Sequence, residues 1–82
     1  MQTIFMGEAE CEGSPIQYHL LAEEAESGIG SYGVRVILGE EIASLPGVTG
    51  SQTAIMELIE AMIRGTVTPV SAREIVDDWL LA

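Results

Sequence analysis

The spacing of apolar residues changes near Gly47, and that change constrains the fold more than any other feature of the chain. Residues 1–42 alternate at period two, whereas residues 49–82 repeat at helical spacing. A sheet-forming half followed by a helix-forming half, within 82 residues, describes one α+β domain.

From Ile16 the even positions Ile16, Tyr18, Leu20 and Ala22 form an apolar row. A second run places Tyr32, Val34, Val36 and Leu38 on one face. Between them Ser27-Gly28-Ile29-Gly30 carries glycines suited to a tight turn, which makes a β-hairpin. Both runs keep their apolar face on even numbers, so the register must preserve that parity. The expected pairing sets Glu23 opposite Arg35, Leu21 opposite Ile37 and Leu20 opposite Leu38. Its cross-strand ion pair is worth about 0.2–1 kcal/mol. Residues 2–12 read as a third strand, with Phe5, Ala9 and Cys11 on one face and Ile4, Met6, Glu8, Glu10 and Glu12 on the other. Gly13-Ser14-Pro15 ends it. The expectation is a three-stranded antiparallel meander over 1–42.

Two helices are expected in the second half, within 49–65 and 68–81. The first runs from about Ser51 to Arg64, with Thr49 and Gln52 at capping-box spacing and Gly65 as its C-cap. Ile55, Met56, Leu58, Ile59, Met62 and Ile63 share one arc of it. The second starts at Pro69 after Thr68, with Ser71-Ala72-Arg73-Glu74 as a second box. Its apolar stripe is Ala72, Ile75, Val76, Trp79 and Leu80, opposite Glu74, Asp77 and Asp78. Both stripes would pack on one face of the sheet.

These residues carry a resemblance. Tyr18-His19-Leu20-Leu21 before an acidic stretch, Tyr32-Gly33-Val34-Arg35-Val36, a Thr68-Pro69 helix start and an Asp78-Trp79-Leu80 ending resemble an uncharacterised family of short proteins from Clostridia-like Firmicutes, a domain of unknown function. The resemblance covers Ile16 to Leu80. It implies the fold and no activity, cofactor or catalytic residue.

Thirteen acids stand against three arginines and no lysine, a net charge of −10, in a chain that is 48% hydrophobic. Such a chain folds rather than remaining an acidic tail. Its surface repels nucleic acid and anionic membranes and attracts basic protein surfaces. The only histidine, His19, has no nucleophile at a recognisable spacing. Gly28-Ile29-Gly30-Ser31-Tyr32-Gly33 spells a dinucleotide fingerprint but precedes a strand where that motif requires a helix. No zinc set or calcium loop is spelled out, and neither metal nor cofactor is expected. Cys11, the one cysteine, reads as a buried apolar residue with no disulfide partner. Ile4-Phe5-Met6 is too short and lacks the positive flank for a signal peptide, so a cytoplasmic location is expected.

These observations point to a non-enzymatic module that binds the basic surface of another protein, without direct contact to nucleic acid or membrane. As a strand, residues 8–12 would hold Glu8, Glu10 and Glu12 about 6.6 Å apart on one side. Glu23, Glu24 and Glu26 extend the acidic surface, and Asp77 and Asp78 add to it despite their unfavourable place near a helix C-terminus. A row of carboxylates suits inhibition of a nuclease or Cas effector by charge mimicry, as in an anti-CRISPR protein of bacterial or phage origin. The alternative is a small regulatory or structural homodimer, assembled through Leu21 and Ile37, whose acids serve only solubility.

Overall fold

The computed structural model describes residues 1–81. Four strands come first: β1 (Gln2–Cys11), β2 (Ser14–Ala25), β3 (Gly28–Leu38) and β4 (Glu41–Thr49). Two helices follow, α1 (Gln52–Arg64) and α2 (Pro69–Leu81). The strands form one antiparallel sheet in the order β1-β2-β3-β4. Tight turns join them. Glu12 and Gly13 both take positive φ, 51° and 83°, between the paired residues Cys11 and Ser14. That is the dihedral signature of a type I′ hairpin, whose twist matches the strands it joins.

The sheet therefore has four strands where three were expected, and the meander runs past residue 42 to Thr49. The overlooked strand contains Pro46 and Gly47, which read as breakers in sequence. An edge strand tolerates them, since its outer side donates to no neighbour. Between the pairs Val34–Leu45 and Tyr32–Thr49, Gly33 alone on β3 faces Pro46, Gly47 and Val48 on β4. This irregularity folds the Leu45–Pro46 backbone against Gly33, where an added Cβ would lie 2.6 Å from the Pro46 Cα. Only glycine allows that approach.

The hairpin register also differs. Leu20 pairs with Val34 rather than Leu38, a shift of four positions along β3 that keeps the expected parity. Glu23 faces Ser31, and Arg35 faces His19, so the expected cross-strand ion pair does not form. The turn at Glu26–Ser27 and a shift between Glu23 and Glu24 set the pairing. A surface ion pair of a few tenths of a kcal/mol cannot outweigh the packing of a whole apolar face.

A third difference lies in β1. A bulge between Phe5 and Gly7 exchanges its faces. Ile4 lies on the helix side opposite Leu20, Ala9 and Cys11 continue that side, and Met6 packs with them against the core. Phe5, Glu8 and Glu10 share the other side.

The core lies between the helices and the even face of the sheet. Ile16, Tyr18, Leu20, Val34, Val36 and Leu45 meet Ile55, Leu58, Ile59 and Met62 of α1 and Ala72 and Val76 of α2. Helix α1 begins where the Ser51 hydroxyl accepts from the Ala54 N–H at 3.1 Å, while Thr49 accepts from the Ser51 N–H. The N-cap is thus Ser51, and the expected Thr49–Gln52 box is replaced by this arrangement. At the other end, the Val67 N–H bonds to the Met62 carbonyl and the Thr66 N–H to that of Ile63. This is a Schellman closure with Thr66, not glycine, at positive φ (53°). Pro69 opens α2 as expected. Ser71 lies inside the helix, its N–H donating to the Thr68 carbonyl, so Ser71–Glu74 is no capping box. Helix α2 lies chiefly over β4. It buries Pro69, Ala72 and Val76, half-buries Trp79, and leaves Ile75 and Leu80 exposed, narrowing the expected stripe.

Candidate binding face of the sheet

Both helices cover the same side of the sheet, and the other side carries no layer among the described residues. The register arranges that open side in rows. One row runs Phe5, His19, Arg35 and Ser44 across all four strands. The next runs Glu8, Gln17, Ile37 and Ile42. A third holds Thr3, Leu21 and Gly33.

Side chains in the first two rows hold one another. The Phe5 and His19 rings meet edge to face at 5.5 Å, a favourable aromatic geometry. His19 Nε2 lies 3.4 Å from Gln17 Oε1, and Arg35 Nε donates to Ser44 Oγ at 2.8 Å. Arg35 is the only cation of the strands, and its fork is steered by a hydroxyl rather than a carboxylate. At the two outer strands the face ends in exposed apolar side chains, Phe5 at 55% and Ile42 at 62%. A fixed polar centre with apolar flanks and acids at the rim can seat another protein.

The expected patch residues separate. Leu21 is 1% exposed and lies beside Thr3 and Gly33, away from Ile37. Ile37 is half-buried between Gln17 and Ile42. Leu21 is therefore buried on the open side, outside the cluster beneath the helices, and Phe5 and Ile42 supply the exposed apolar surface. Sequence reasoning missed both, because the bulge reversed the face of Phe5 and β4 went unseen. A tighter reading of Glu12-Gly13 as a two-residue turn would have revealed the pairing of β1 with β2.

The acids form no single ridge. Glu8 and Glu10 share the open face of β1, and Glu12 lies in the turn that ends it. Glu40 and Glu41 belong to the β3–β4 turn at that same end of the sheet. Glu23, Glu24 and Glu26 lie at the opposite end, around the β2–β3 turn. Asp77 and Asp78 are exposed on α2, with Asp77 and Arg73 bordering a groove between that helix and Pro46–Gly47 of β4. Cys11 is a free, half-buried thiol packed against the core beneath the Glu12 turn. Among the described residues, no three His, Cys, Asp or Glu side chains are grouped to hold a metal ion, and no helix is long and apolar enough to cross a membrane.

Fold and face together define a two-layer α+β module with one open sheet surface. Residues 3–82 match the family of unknown function DUF6514, and the chain belongs to that family. The match takes in β1, beyond the Ile16–Leu80 span of the resemblance. No curated protein and no solved structure matches the chain.

Proposed function

We propose that this protein is a non-enzymatic binding module whose open sheet face seats a cationic partner protein. The observation that carries this reading is the pair of uncovered rows Phe5–His19–Arg35–Ser44 and Glu8–Gln17–Ile37–Ile42, which place exposed Phe5 and Ile42 on the two outer strands. An exposed apolar side chain already held by a neighbour, as Phe5 is by the His19 ring, favours docking because little side-chain entropy is lost on contact. The net charge of −10 selects for a basic partner and speeds the encounter.

Mimicry of a phosphate backbone is the narrower reading. It asks for a continuous line of carboxylates, and the open face offers only Glu8 and Glu10 in one line. A nuclease or Cas effector is thus one cationic partner among several, and the apolar face carries the reading further than the charge alone.

Affinity capture from host lysate with the wild-type chain and with Phe5→Glu/Ile42→Glu tests the proposal. Loss of a basic protein from the double variant, and its retention by Glu57→Gln/Glu60→Gln on α1, supports the face. Capture that depends instead on Glu8, Glu10 and Glu12 and disappears in about 0.5 M salt favours the mimic. Equal capture by every variant rejects both readings.

A further inference from the structure

The two edges of the sheet are guarded differently. On β4, Pro46, the positive φ of Gly47 (65°) and the packed helix α2 obstruct a further strand. On β1, the second half has Gly7 and the charges of Glu8 and Glu10. Its first half, Gln2–Met6, has no proline, glycine or charged side chain, and it pairs regularly from Gln2 to Phe5, with the bulge at its last residue, Met6. Natural edges seldom leave such a segment bare.

Exposure points the same way. Ile4 is 45% exposed on the helix side, and Phe5 is 55% exposed on the open side. A partner lying on either layer covers one of them. Only a strand that continues the sheet covers both.

We propose that Gln2–Met6 is a self-association edge, joining two copies of this chain antiparallel about a twofold axis near Ile4 into an eight-stranded sheet. The segment is uncharged and mostly apolar, so it takes a strand of the same kind, and the same segment of a second copy supplies one in self-complementary register. In this register Thr3 faces Phe5, Gln2 faces Met6 and Met1 faces Gly7 of the other copy, so Glu8 and Glu10 fall outside the paired segment. Two chains of net charge −10 can therefore approach along a stretch of edge that carries no charged side chain. The interface is isologous and closes on itself, since the twofold pairs the same β1 edge of each copy. The helices would lie on one side of the joined sheet and both candidate binding faces on the other.

Analytical ultracentrifugation of the full chain tests this directly. The expected mass rises from 8.8 kDa toward twice that value between about 10 μM and 1 mM protein. Added salt strengthens the association by screening like charges, whereas it weakens binding of a cationic partner, which keeps the two proposals separable. Ile4→Lys and Phe5→Lys should each abolish dimerisation while leaving the melting temperature unchanged at about 10 μM, where the wild-type chain is monomeric, and Ile42→Lys should not affect dimerisation. Hydrogen exchange on the unmodified chain should show amides of residues 2–6 gaining protection as concentration rises. A monomer throughout that range, a dimer lost only with Ile42→Lys, or unchanged exchange at residues 2–6 overturns the proposal.

Discussion

The Tyr18 hydroxyl crosses from the centre of the sheet to the loop between the helices, where it donates a 2.7 Å hydrogen bond to the Val67 carbonyl. Tyr18 is fully buried, and the two residues are 49 positions apart. The loop they fix also contains the Schellman closure of α1 and the start of α2, so one phenol ties both helices to the layer beneath them.

Removing that hydroxyl leaves the Val67 carbonyl without its partner in a partly buried setting. Tyr18→Phe should lower unfolding free energy by about 1–3 kcal/mol with the fold retained. A urea titration followed by circular dichroism measures it, and an unchanged midpoint would show that water replaces the bond.

The same bond predicts a response to alkali. Burial pushes the Tyr18 phenol above its ordinary value of 10.0, and the neighbouring Cys11 adds to the shift. The unfolded chain then loses this proton at lower pH than the folded one. Its contribution is fully present below about pH 10 and is lost as pH rises through the higher folded value. Urea midpoints should stay level up to about pH 9 and then decline. In Tyr18→Phe the decline should be shallower, and equal slopes would assign it to other groups.

Gly33 faces the Leu45 carbonyl and the Pro46 Cα, both backbone atoms that cannot rotate aside. Gly33→Ala should therefore cost roughly 3 kcal/mol by forcing β4 away from β3. Gly13 has nothing near its missing Cβ but a positive φ of 83°, so Gly13→Ala should cost about 1–2 kcal/mol through backbone strain alone. Thermal melts of the two variants compare these mechanisms, and an equal loss would mean that the contact at Gly33 relaxes.

Thr66 closes α1 at a φ of 53°, a conformation that opposes a β-branched side chain. Thr66→Gly should raise stability by about 0.5–1 kcal/mol, the relieved strain exceeding the added unfolded-state entropy. A lower melting temperature would instead show that the half-buried Thr66 side chain contributes packing that outweighs the strain.

Much of this fold is legible in the chain. The parity of β2 and β3, the core face of α1, Pro69 at the head of α2 and Gly65 at the end of α1 all depend on residues within a turn or a strand of one another. The candidate face was harder to read. His19, Gln17, Arg35 and Ile37 fall on it by the same alternation that puts Tyr18, Leu20, Val34 and Val36 in the core, but Phe5 and Ile42 required the β1 bulge and a strand through Pro46.

The chain by itself determined local periodicity, helix ends and the sign of the surface, because these follow from short-range sterics, hydrogen bonding and formal charge. Tertiary structure alone decided the register, the fourth strand and the burial of Leu21. Those outcomes depend on which distant backbones fit together: Gly33 admits the Leu45–Pro46 turn, and α2 covers β4. A bulge of one residue at Met6 reverses a whole face, and no pattern confined to β1 encodes the packing that places it there.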